Sequence, residues 1–403
     1  MIKELYRIFK HEVCLNVTQG AVDSVRIKNI VKSGARVYDG GYIGIAGTIG
    51  EPSDELVSAA EKNLAKKIEY KFEPEKNKVR KRDARKADYT DKEVVEFGEK
   101  LLAVMTEKHP QFVFSNKIKW IETNYSLKND AGLDYEDTDA YYVVSIIYKH
   151  RDSVAVFDGG VSAMGREFDV EKIAATFDDE LCAFEKPAEL PEGEKVPVVV
   201  GFGEVGGKIL EALNGKQLGH GASLFADKMG QKAFSDDFTL GTDLEQSVGD
   251  IFFDTEGSIL PGDKFDFIEN GVIKCGYADK KTADTFGRQN TACAGGGYDD
   301  VPTLGAPNLV PKRSDKTIKE LLHGQKAVYV GMMSGGDTTN EGEFASPVQL
   351  AYLVEDGRIT GKLPEFGLSG NIFDIFGKDF VGVPKDEFSI GAQSVICNMK
   401  VSR

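Results

Sequence analysis

Pro187-Ala-Glu-Leu-Pro191-Glu-Gly-Glu194 divides the sequence into two halves of different character. Two prolines and three glutamates in eight residues suit neither a helix interior nor a central strand, so the stretch reads as an exposed hinge. Glycine usage changes across it. Only 12 of the 44 glycines lie in residues 1–186. Their density is about 6% before the hinge and about 15% after it, where ~7% is ordinary. Two domains are therefore expected, an α+β unit over 1–186 and a Gly-rich, mostly-β unit over 187–403.

Upstream of the hinge, Val25–Val31, Ala35–Asp39 and Tyr42–Ala46 are short apolar runs separated by Lys32-Ser33-Gly34 and Gly40-Gly41, the pattern of an antiparallel meander. A helix is expected from about Asp54 to Ile68, capped by Ser53, with Leu56, Ala60, Leu64 and Ile68 on one face. Thr90-Asp-Lys-Glu93 is a capping box that starts a second helix, with Val94, Phe97, Leu101 and Met105 inward. Strands are expected again at Phe112–Ile121, Tyr141–Tyr148 and Val154–Phe157. A third helix follows over Val170–Phe184, facing the core with Ile173, Phe177 and Leu181. Strands joined by short turns and followed by helices predict an antiparallel sheet with helices on one face.

Downstream, Val196–Gly201 has the composition of a buried strand, and a helix is expected around Val205–Leu213. Short β segments follow at Thr239–Leu244, Ile251–Phe253, Lys264–Glu269, Val272–Tyr277, Val328–Met333, Gln349–Glu355 and Arg358–Leu363. Asn270-Gly271 and Asp356-Gly357 are two-residue hairpin signals, because both residue types tolerate positive φ. A sandwich or barrel-like domain is the natural reading.

With 65 acidic against 50 basic residues, the net charge of −15 repels phosphates and argues against nucleic-acid binding. No apolar run approaches the ~20 residues that span a bilayer, and Met1–Val17 has no signal-peptide core. A cytoplasmic protein with no membrane partner is expected. The five cysteines (14, 182, 275, 293 and 397) are scattered, as in a chain from a reducing compartment. The five histidines (11, 109, 150, 220 and 323) never fall within four residues of each other, so no HExxH helix can be built.

Four segments merit a chemical reading. Lys76–Lys86 holds seven basic residues against one acid and reads as a solvated inter-helix loop rather than a contact for an anionic partner. His11-Glu12 begins like a zinc helix, but Leu15 and Asn16 stand where a second His is needed. Ala294-Gly-Gly-Gly-Tyr298 is glycine-rich without the Lys-Ser/Thr of a phosphate loop, and reads as a surface loop. Most distinctive is Gly331-Met-Met-Ser334-Gly335-Gly336-Asp337-Thr-Thr-Asn340-Glu-Gly-Glu-Phe344, a strand ending in a tight polar turn.

Taken together, several segments resemble the TldD/PmbA family, also described as modulators of DNA gyrase, and its PmbA/TldE branch in particular. They are Ala35-Arg-Val-Tyr-Asp-Gly-Gly-Tyr-Ile-Gly-Ile-Ala46, Ser223-Leu-Phe-Ala-Asp-Lys-Met-Gly230, Phe253-Asp-Thr-Glu-Gly257, Ile268-Glu-Asn-Gly271, the Ser334–Phe344 loop and Gly367-Leu-Ser-Gly-Asn371. The resemblance implies a two-domain α+β fold and a part in cytosolic proteolysis or precursor maturation. In that family a TldD-type subunit binds zinc through an HExxxH helix and a later Cys, and pairs with a subunit that lacks them. Here the corresponding positions hold Phe202, Gly203 and Gly207, and a shift of register by one offers only Glu204. None of the three can bind zinc or act as its base. Cys397 reads as a buried strand residue and His220 as a loop residue.

The expectation is therefore a subunit without catalytic residues, metal or cofactor. Its partner would be a TldD-type metallopeptidase subunit, or a second copy of itself, around a peptide substrate. Ser334, Gly335, Gly336, Asp337, Ser369, Gly370 and Asn371 are the candidate peptide- or partner-binding residues. The alternatives are a homodimeric regulator or adaptor of toxin–antitoxin or gyrase-linked systems, and a stand-alone hydrolase using an unrecognised site.

Overall fold

A computed structural model describes residues 1–402. β1 (Ile2–Thr18) and β2 (Ala21–Asp39) form one long hairpin about Gln19-Gly20, whose φ values of 53° and 79° suit the twist of the strands. β3 (Tyr42–Ile49) returns antiparallel on β2, and α1 (Asp54–Asn63) packs on β2 and β3. Then come β4 (Ile68–Glu69), β5 (Lys78–Asp83), α2 (Asp91–Lys108), β6 (Phe112–Asn129), β7 (Leu133–His150), β8 (Gly159–Gly165) and α3 (Val170–Phe184). They complete an eight-stranded sheet of order β4-β3-β2-β1-β6-β7, with β5 and β8 both on β7. Only the β5–β7 pairing is parallel.

Local chemistry sets the helix starts as expected. Ser53 Oγ accepts from Leu56 N–H, Thr90 and Glu93 form the reciprocal capping box, and the Asp169 carboxylate accepts from Lys172 N–H. Such caps are worth about 1 kcal/mol each. Val13, Leu15 and Val17 of β1 join Phe112, Phe114, Ile118 and Trp120 of β6 beneath Val94, Leu101 and Met105 of α2 and Ile173, Phe177 and Leu181 of α3. Each such side chain contributes roughly 1.5–3 kcal/mol by leaving water.

Four expectations for this half are corrected. β2 is continuous, because Ser33 and Gly34 pair with β1 on one side and β3 on the other. The first helix stops at Asn63, and Ile68 lies on an exposed edge strand after Lys67 turns left-handed (φ 50°). Val154–Phe157 is an exposed turn, held by Ser153 Oγ donating to Asp158 and by Asp158 accepting from His150 N–H. Lys76–Lys86 is not a solvated loop. Its Lys78–Asp83 segment is strand β5, and its arginines are paired with acids distant in sequence.

The stretch 187–194 is not the exposed hinge expected: Pro187 bridges Lys362, Ala188 N–H donates to the Lys362 carbonyl at 2.8 Å, and Leu190 is buried in the core. After it, β9 (Lys195–Gly201) opens a closed five-stranded barrel. It pairs antiparallel with Ser394–Ser402, which pairs in turn with Phe366–Asn371. That strand pairs with Glu343–Glu355, next comes Ala327–Met333, and the last closes on β9 in parallel. Val196, Val198, Val200, Val328, Val395 and Cys397 fill one core, while Val199, Val354 and Ile396 on the opposite face pack against Ile318, Leu321 and Leu322. Asn270-Gly271 and Asp356-Gly357 both make the expected turns, with φ of 47°, 78°, 51° and 74°. The helix expected at Val205–Leu213 is two short pieces, Phe202–Val205 and Gly207–Ala212, and Ile251–Phe253 makes only an isolated bridge from Phe253 to Ile259.

Candidate functional site

The turn at Ser334–Asp337 and the segment Ser369–Asn371 meet across one strand. Asp337 pairs with Ala345 and Ala345 with Ser369, while Thr338, Phe344 and Gly370 form the next row. The turn is exposed, and it is fixed by Ser346 Oγ donating to the Gly335 carbonyl at 2.7 Å. Gly335 is left-handed (φ 64°), and at Gly336 a Cβ would lie 2.4 Å from the Phe344 ring. Asn371 Nδ2 donates to Glu343 Oε1 at 2.9 Å and its Oδ1 accepts from Phe373 N–H, capping Ile372–Ile375. Asn371 thus has a structural use as well as a surface position.

The positions compared with a zinc helix are built for packing. Phe202 is buried against Phe376, with ring centroids 5.8 Å apart. Gly203 and Gly207 carry no donor, and Gly206 breaks the helix between them. Cys397 is fully buried in its strand opposite Val198 and Phe380, and burial pushes its thiol pKa far up, away from the thiolate that metal binding needs. His220 ends the helix Gly215–Gly219, edge-on to Phe286 at 4.9 Å. Among the described residues no three His, Cys, Asp or Glu side chains are grouped to hold a metal ion. The donor set present does not fit zinc.

Two buried polar clusters lie outside the predicted site residues, the first of them within the Ala35–Ala46 and Phe253–Gly257 motif segments. At the first, Arg36 is fully buried; its Nη1 donates to the Thr255 carbonyl and stands 3.6 Å from Glu4 Oε1. Tyr70 OH donates to Glu256 Oε1 at 2.5 Å, and Lys280 N–H donates to Glu256 Oε2 at 2.9 Å. Asp254, pushed up to about 7 by burial and by neighbouring Glu256, accepts the N–H groups of Glu256, Ser258 and Ala294. The Phe253–Gly257 turn is thereby locked onto β2 as a structural joint. At the second, Glu180 of α3 lies behind a cavity between β8 and the barrel. These carboxylates could have been suspected from their apolar neighbours in sequence, but nothing local indicates their partners.

Residues 194–403 match the family described as PmbA/TldA metallopeptidase C-terminal domain. The chain belongs to the PmbA/TldD family. Metalloprotease MJ0996 of Methanocaldococcus jannaschii is 34% identical over 177 residues, which span 42% of this chain and only 38% of that protein. MJ0231 of the same organism is 25% identical over 399 residues, 93% of this chain and 89% of its own length. The crystal structure of TldE from Thermococcus kodakarensis superposes with a TM-score of 0.81 at 19% identity, covering 100% of this chain and 97% of that one. Its likeness establishes the fold. The PmbA/TldD family is metallopeptidase-like, and relatives of this chain are named as metalloproteases. Among the described residues no helix is long and apolar enough to cross a membrane.

Proposed function

We propose that this PmbA/TldD-family chain is the metal-free, non-hydrolytic subunit of a two-subunit cytoplasmic metallopeptidase, partnered by a TldD-type subunit that carries the zinc. One observation carries the reading. At the position that the resemblance gives to the first zinc-binding His stands Phe202, a buried ring around which Gly206 is fitted. In this reading the unit over 187–403 faces the partner, and the rows Asp337–Ala345–Ser369 and Thr338–Phe344–Gly370 line the shared enclosure. Neighbouring strand edges hold an extended peptide through main-chain hydrogen bonds, which demand little side-chain specificity.

The test is co-expression with an HExxxH-bearing family member, followed by cleavage assays on an unfolded peptide. A stable heteromeric complex that cleaves, and stops on chelation, is expected, with no cleavage by this chain alone. Chelator-sensitive cleavage by the isolated chain would overturn the reading, and a self-sufficient homodimer that ignores such partners would favour an adaptor instead.

A further inference from the structure

The cavity of about 170 Å³ between β8, α3, the start of the Phe202–Val205 helix and the barrel strand Ala327–Met333 has an unusual floor. Glu180 is 6% exposed and lies against no cation. Its Oε1 lies 3.1 Å from the Tyr148 hydroxyl and 3.4 Å from that of Tyr352; the two hydroxyls are 2.7 Å apart, so one donates to the other and the second donates to Oε1. Its Oε2 accepts no hydrogen bond from the described residues, and the side chain lines the cavity. Oε2 is not sealed among protein atoms but opens to the cavity, so when the carboxyl is ionised its counter-charge has to come from that side. The walls combine Phe177, Tyr329, Phe388 and Met332 with the hydroxyl-bearing Ser162, Ser389 and Ser394, and Glu204 is the second carboxylate on the lining.

We propose that this cavity binds a primary ammonium group carried on a short alkyl stem, with Glu180 Oε2 as its counter-ion. Three features select that ligand. Aromatic faces and a thioether suit an alkyl chain ending in a cation. A guanidinium seeks both oxygens of a carboxylate, and here Oε1 is already engaged by the paired tyrosine hydroxyls, leaving Oε2 for a point-like ammonium. A bound divalent ion draws on a cluster of His, Cys or carboxylate ligands, and no group of three such side chains is found among the described residues. The volume is of the order that holds a benzene-sized molecule, ~150 Å³, so a four-carbon amine fits. The site stands independently of the peptidase-subunit reading, since the ammonium belongs either to a lysine side chain or to a free alkylamine.

The groups facing Glu180 are Tyr148 from β7, Tyr352 from Glu343–Glu355 and Tyr329 from Ala327–Met333; Glu204 shares the cavity lining. None of them is cationic, and burial pushes the Glu180 carboxyl up to about 7 against the opposing pull of the two tyrosine hydroxyls. Because ammonium binds the ionised form, affinity rises with pH, by about tenfold from pH 6 to pH 8 as the carboxyl goes from one-tenth to nine-tenths ionised. Calorimetric titration of the full chain with n-butylammonium chloride, with n-butanol as control, reads this directly.

Saturable binding of the amine with that pH profile, no binding of butanol, and at least a tenfold loss in Glu180→Gln support the proposal. Binding that is equal for butanol, independent of pH, unchanged in E180Q, or absent at millimolar amine overturns it. Should E180Q fail to fold, the wild-type pH profile decides alone. A short lysine peptide and its norleucine counterpart then identify the source. Lysine-dependent peptide binding assigns a side chain, and binding of the free amine alone assigns a small metabolite.

Discussion

Replacing Arg82 with alanine tests how the basic stretch of the N-terminal half is used. Arg82 Nε and Nη2 donate to the two oxygens of Asp137 at 2.8 and 2.9 Å, and Nη2 also donates to the Asp250 carbonyl at 2.5 Å. Asp137 is 1% exposed and has one other donor, Phe252 N–H at 3.0 Å. Two hydrogen bonds to a charged group at about 1.5–3 kcal/mol each bracket the loss. Breaking a buried pair, which strands its partner, costs a comparable ~3–5 kcal/mol. Burial already holds the Asp137 carboxyl above its ordinary range with Arg82 in place, and R82A raises it further. A carboxyl raised in the folded state destabilises once the pH passes its unfolded value, so the penalty of R82A is fullest at neutral pH and shrinks as acid protonates Asp137. Trp120, the chain's single tryptophan, is buried in β6 and reports unfolding of this sheet by fluorescence. With a urea slope of about 3 kcal/mol/M, the midpoint falls by about 1 M at neutral pH, and R82M/D137L recovers most of the loss. A shift worth less than about 1 kcal/mol, or one of equal size at acid and neutral pH, would refute the reasoning.

Three further outcomes follow from the packing. Phe202→Ala empties a core site and costs roughly 3–5 kcal/mol, read as a lower thermal midpoint that added zinc leaves unmoved. Gly34→Ala places a Cβ 1.7 Å from the Tyr298 carbonyl and forces that loop off the sheet, so chymotrypsin should cut at Tyr298 faster than in the parent chain. Thr90→Ala removes the acceptor for Glu93 N–H and half of the capping box, for about 1 kcal/mol in urea unfolding monitored at Trp120.

What the sequence reveals and hides follows from where the determinants sit. Ser53, Thr90 and Asn270-Gly271 act within four residues of themselves, so the helix starts and hairpins are legible. Gly34 reads as a turn residue but serves a non-local need, the close approach of Tyr298, and the strand runs straight through it. The long β1 has no clean alternation to announce it, because charged Glu4, Glu12 and apolar Tyr6, Val13 are all buried together. Barrel closure is invisible for a similar reason, since β9 meets Val328 and Tyr329 across more than a hundred residues. The arginines of Lys76–Lys86 read as solvated because their acids, Asp137 and Asp263, are far along the chain. In the candidate surface, the turn at Ser334–Asp337 is marked by its glycines, whereas the Glu180 cavity depends on Tyr148 and Tyr352, brought together from two separate strands.

The absent zinc helix and the Glu180 cavity share one stretch of backbone. In an unbroken α-helix positions 202 and 207, five residues apart, point about 140° away from each other, so a common ligand point would itself need a departure from regular helix. Here Gly206 ends the first helical piece at φ −90° and ψ −3°, with its N–H donating to the Phe202 carbonyl. A Cβ at 206 would meet the Phe202 ring at 2.4 Å, so ring and break are fitted to each other. With Phe202 turned into the barrel core, Gly201 and Glu204 are the residues of this junction left lining the cavity opposite Glu180. The stretch that the resemblance compares with a metal-binding helix thus supplies, in this chain, one wall of the carboxylate-bearing pocket for which an organic ammonium ligand is proposed above.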